Sequence, residues 1–114
     1  VKTKIINGSP APVYKGLEVV ECLLMIHRNN QSYITAFVEG YICAIIGERM
    51  TIAKVSEAEL DNAKHSAEKY VEFQIERSNF SDEEKKGMKN DYKLWAESAL
   101  QGMKKRLRDS GRLL

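Results

Sequence analysis

The densest apolar run of the chain is residues 33–47, Tyr-Ile-Thr-Ala-Phe-Val-Glu-Gly-Tyr-Ile-Cys-Ala-Ile-Ile-Gly. Wound at about 3.6 residues per turn, it sorts into two apolar faces. Ile34, Phe37, Val38, Tyr41 and Ile45 make a bulky one. Ala36, Gly40, Ala44 and Gly47 make a small one, with Cys43 beside them. Thr35 and Glu39 mark a narrow polar strip. A helix apolar nearly all round belongs in the middle of a fold. The bulky face is expected to fill a core. The small face, Ala36, Gly40 and Ala44, is expected to let a neighbouring helix approach closely.

The flanking patterns predict three more helices. Residues 16–28 carry one apolar row at Leu17, Val20 and Leu24 and a second at Val19, Leu23 and Ile26. Asn29-Asn30-Gln31-Ser32 then breaks the pattern with turn-forming residues, and Ser32 is a fair N-cap for the central helix. Residues 48–55 form a connection with room for some helix. Ser56-Glu57-Ala58-Glu59 is a capping box that opens a third helix reaching residue 77. Its apolar row is Leu60, Ala63, Ala67, Tyr70, Val71 and Ile75. Ser81-Asp82-Glu83-Glu84 is a second capping box. The helix behind it carries Met88, Tyr92, Trp95, Ala99 and Met103, with Leu100 and Leu107 alongside, and Gly111 fits its C-terminal cap. The expected fold is all-α: a compact bundle of four main helices, residues 16–114, as a single helical domain. Residues 1–15 are expected to be an extended arm. A short strand at its start has no evident partner, and a partly disordered terminus is the alternative.

Composition narrows the function classes. Of 114 residues, 18 are basic and 16 acidic, for a net charge of +2. A general nucleic-acid binder usually shows a larger basic excess. The central run is too short and too charged at Glu39 to span a membrane. Val1 leaves open a cleaved signal peptide, a trimmed tag or a GTG start. His27 and His65 are solitary, so no metal site is read, and no cofactor motif or catalytic constellation is present in the sequence. A basic tail, Lys104, Lys105, Arg106 and Arg108, suits phosphate contacts, but basic residues also complement the end of a helix.

Cys22 and Cys43 flank the first hairpin turn. Placed at similar heights on antiparallel helices, they are expected to form a disulfide. The alternative is a pair of buried thiols.

The order of features resembles the small periplasmic immunity proteins of the Rap/Tai type, which protect bacteria from type VI secretion amidase toxins. The matching pieces are Gly16-Leu17-Glu18-Val19-Val20-Glu21-Cys22 and Phe37-Val38-Glu39-Gly40-Tyr41-Ile42. Val55-Ser56 through Leu60 to Tyr70-Val71, and Ala99-Leu100, follow in order. Val38 stands where the family usually has a Cys, and the family's second cysteine pair is absent here.

The resemblance implies a periplasmic or secreted inhibitor that binds a toxin through loops and a helix face. Asn29, Asn30, Glu39 and the four basic tail residues are the candidate contacts. The expected protein is therefore a binder of a protein partner rather than an enzyme, with a homodimer left open. The alternative is a cytoplasmic phage or plasmid regulator that touches nucleic acid through the tail.

Overall fold

The computed structural model describes residues 3–6, 9–12, 16–47 and 49–114, with side chains described from residue 22 on, apart from 51 and 52. A two-stranded antiparallel ribbon (β1, Thr3–Ile6; β2, Ser9–Pro12) comes first. Five helices follow: α1 (Gly16–His27), α2 (Gln31–Ile46), α3 (Arg49–Ile52), α4 (Glu57–Arg77) and α5 (Asp82–Asp109). The four long helices form the expected all-α bundle, and α3 is a single turn. The expected rows at Leu17, Val19 and Val20, and the turn residues Asn7 and Gly8, lie outside what is described.

The N-terminal segment differs from a lone strand. Thr3 pairs with Pro12 and Ile6 with Ser9, and the ribbon lies against α2. Two prolines at 10 and 12 argue against a strand in sequence. Both strands of a two-stranded ribbon are edges, and edge strands are where proline is tolerated.

The apolar run became the hub. α2 packs against α1, α3, α4, α5 and both strands. Its buried residues are Ile34, Phe37, Val38, Gly40 and Ile42. Ile34, Phe37, Val38 and Ile42 join Leu60, Val71 and Ile75 of α4 and Met88, Tyr92, Leu100 and Met103 of α5 in one core. The bulky face is rotated from the expected one: Ile42 is buried, whereas Ile45 is half exposed. α2 starts two residues earlier than its run, because Asn30 rather than Ser32 is the N-cap, its Oδ1 accepting from the Tyr33 N–H at 3.0 Å.

Local chemistry sets the ends of α4 and α5. Both capping boxes form: Ser56 Oγ accepts from the Glu59 N–H, and Ser81 Oγ from the Glu84 N–H. The two glutamates accept in return from the N–H groups of their caps. α5 ends in a Schellman turn. Gly111 has φ +72°, its N–H donates to Arg108 O, and the Arg112 N–H donates to Leu107 O at 2.7 Å. The chain then runs back over the α3–α4 connection. Val55 donates to Arg112 O and accepts from the Leu114 N–H, both at 2.9 Å. The Arg112 guanidinium donates to the carbonyls of Arg49 and Ala53. At about 1.5 Å per residue the 28-residue α5 is ~42 Å long, which is the long dimension of the molecule, 44 Å.

Candidate functional site

Most of the contact residues expected from sequence hold the fold together instead. Asn29 occupies the left-handed region (φ +51°) in the α1–α2 turn, and its Oδ1 accepts from Trp95 Nε1–H at 2.6 Å. Asn30 is the N-cap of α2. Beside them His27 stacks on Phe80 at 4.6 Å between ring centroids, with Nε2 2.7 Å from Glu84 Oε2. The turn is thus fastened to α5 by two side-chain bonds. Glu39 pairs with Arg106 at 2.7 Å and is only partly exposed. Of the basic tail, only Lys105 and Arg108 are exposed without an ion pair among the described residues.

Lys104 is the buried one. Its stem is covered to 8 % exposure while Nζ reaches Asp61 at 2.8 Å and Glu57 at 3.6 Å. Both carboxylates are half exposed, so the charge sits at the rim and the methylenes in the core, as snorkelling lysines do. The Asp61 bond holds the ammonium above its ordinary pKa. Lys104→Met keeps the stem and loses a rim ion pair, so it should cost less than about 1 kcal/mol. Lys104→Ala also loses the three packed methylenes of the stem and should cost about 2 kcal/mol more, at ~0.8 kcal/mol per buried methylene. Urea melts of the two variants check the order.

The cysteines are not bonded to each other. Cys22 stands five residues before the end of α1 and Cys43 twelve after the start of α2. At ~1.5 Å per residue that difference offsets them by roughly 10 Å along the hairpin, beyond disulfide reach. They also face different neighbours. Cys22 lies beside Tyr70, Val71 and Gln74 of α4, where burial pushes its thiol up to about 12. Cys43 lies near Glu39 and Arg106, and its thiol is raised by burial first and Glu39 second. The small face is also not a helix contact along its length. Gly40 is buried, but Ala36 and Ala44 are exposed, because the packed sides of α2 are the ones holding Phe37 and Ile42.

The surface that remains is the outer face of the α4–α5 pair. Glu72 and Lys93 approach to 3.8 Å across it, and Glu76 pairs with Lys89. Next to that first pair in sequence stand Phe73, 56 % exposed, and Leu94, 62 % exposed. Each lies two residues, about 200° of helix, past a fully buried residue, Val71 and Tyr92 respectively. Both therefore point outward at the same level, one on each helix. The Arg77 guanidinium lies 5.3 Å from the Phe73 ring centroid and fixes it. Toward the α4–α5 turn, a cleft of about 330 Å³ opens between Glu76, Asp82, Lys85, Lys86, Lys89, Asn90 and Lys93. The sequence pattern singles out none of these residues as a contact. The available signal was an apolar residue off the helical stripe, Phe73 or Leu94, and lysines recurring at intervals of four along α5.

Three glutamates tie elements together, and their partners hold each carboxyl below its ordinary range. Glu59 is lowered by the Arg49 side chain first and the Ser56 N–H second. Glu84 is lowered by the Ser81 N–H, then by His27. Glu97 is lowered by Lys64, then by Gln101. A depressed carboxylate releases its proton more readily folded than unfolded. Its stabilisation is therefore full above the unfolded value, ~4.3, and is lost as pH falls through the folded one. The melting temperature should fall between pH 5 and pH 3, and Glu84→Gln should flatten that fall. Thermal melts over the range check it.

No family model, curated protein or solved structure matches the chain.

Proposed function

We propose that the protein is a small non-enzymatic interaction protein, a periplasmic immunity protein that binds and inhibits a secreted toxin, with the outer α4–α5 face as its contact surface. The observation that carries this is the pair Phe73 and Leu94. Large apolar side chains this exposed, level with one another and flanking charged residues, have the make-up of interface anchors within a polar rim. The resemblance to Rap/Tai immunity proteins supplies the kind of partner. A helical bundle is also the fold that resemblance implies. The contact surface moves away from Asn29, Asn30, Glu39, Lys104 and Arg106, which are occupied within the fold.

A second reading, the cytoplasmic regulator, is favoured by the unbonded thiols. Against it, Lys104 and Arg106 are held by Asp61, Glu57 and Glu39, which leaves Lys105 and Arg108 of the tail for phosphates. Co-expression with the product of the adjacent gene separates the readings. A stable complex on size exclusion supports the inhibitor. No complex, together with a salt-sensitive DNA shift that depends on Lys105 and Arg108, supports the regulator.

A further inference from the structure

From the lysine-lined cleft at the α4–α5 turn we infer a binding site for a compact polyanion, a chain of two or three linked phosphates. The inference requires only the cleft and stands whether or not the protein inhibits a toxin.

Four lysines, Lys85, Lys86, Lys89 and Lys93, line a space of about 330 Å³. On a helix, positions 85, 86, 89 and 93 share one side over two turns. Their ammonium groups repel one another, and the fold answers that repulsion only in part. Glu76 serves two of them, its carbonyl accepting from Lys85 at 3.0 Å and its carboxylate pairing with Lys89. Glu72 meets Lys93 at a loose 3.8 Å. Lys86 has no ion-pair partner among the described residues. Asp82, in the first turn of α5, is the other acid of the lining. The cleft therefore keeps a positive excess that an anion would neutralise.

The lining also selects the anion. It is charged residues and one amide, Asn90, with no aromatic ring and no guanidinium plane. Nothing there stacks a base or grips a planar carboxylate in two-point fashion. Lysines are mobile point charges that suit tetrahedral phosphates. Spread over two helical turns, ~10 Å, they span linked phosphates better than a single one. Glu76 is the internal competitor: a ligand must displace its carboxylate from Lys89.

The test is an amide NMR titration of the whole protein with inorganic tripolyphosphate, pyrophosphate and monophosphate. ATP and single-stranded DNA are added as comparisons, all at 0.15 M salt. The expected result is a saturable shift confined to residues 76 and 82–93, tightest for tripolyphosphate. Lys86→Gln with Lys89→Gln should weaken it by roughly tenfold. Glu76→Gln should tighten it. Asp109→Asn, an equal charge change at an exposed position at the far end of α5, should not. Shifts that fail to saturate, or equal tightening by both acid-to-amide variants, would reduce the effect to diffuse attraction and overturn the site. Tighter binding of ATP than of tripolyphosphate, or of DNA at the same amides, would overturn the assigned ligand class.

Discussion

Phe37→Ala should destabilise the protein by about 3–5 kcal/mol, the largest loss expected from any single truncation of α2. Phe37 is 2 % exposed and sits on the helix that touches every other element. Removing its ring deletes apolar burial and leaves a cavity that α4 and α5 cannot both close, since each is also fixed by its own capping box and ion pairs. A domain of this size has roughly 5–15 kcal/mol in total, so the variant will be marginal. Phe37→Leu gives a measurable series, because it fills most of the volume and should cost under half as much. Ile45→Ala, at a half-exposed position of the same helix, should cost about 1 kcal/mol or less. Urea unfolding of the three variants checks the order. A loss at Phe37 no larger than at Ile45 would remove α2 from the centre of the fold.

Phe73→Asp with Leu94→Asp should leave the melting temperature nearly unchanged and weaken partner binding by roughly a hundredfold or more. Both side chains are mostly in water already, so neither supports the core. Interface anchors typically contribute at least about 2 kcal/mol each on truncation, close to thirtyfold in affinity. Calorimetric titration of the partner against wild type and variant measures the loss.

Features built from neighbouring residues were legible in sequence. The Ser56–Glu59 and Ser81–Glu84 boxes specify two helix starts through bonds that span three residues, and both form. The apolar row of α4 is regular enough that Leu60, Ala63, Ala67, Val71 and Ile75 came out buried, and Tyr70 partly so. Gly111 as the cap of α5 was legible for the same reason.

What depended on the relative setting of two helices was not legible. Cys22 and Cys43 read as a pair only if their distances from the turn are taken as equal, and they differ by about two turns of helix. The small row Ala36–Gly40–Ala44 shows that close packing is sterically allowed on that side. Which side of α2 receives α4 and α5 is decided by where Phe37, Val38 and Ile42 bury most area. The tail lysines read as one charged run, yet Lys104 faces Asp61 of α4 and Lys105 faces solvent, because adjacent helical residues diverge by about 100°. For the same reason the α4–α5 face stayed hidden. Phe73 and Leu94 gain meaning only once the Glu72–Lys93 contact sets them side by side.

The inhibitor reading is tested most directly by survival. The adjacent gene's product, exported to the periplasm of a susceptible host, should be toxic alone. Co-expression of this chain in the same compartment should restore growth, and the Phe73→Asp, Leu94→Asp variant, folded by circular dichroism, should fail to do so. Growth that stays arrested with the wild-type chain present and folded would contradict the inhibitor, and protection by the double variant equal to wild type would contradict the α4–α5 face as its contact surface.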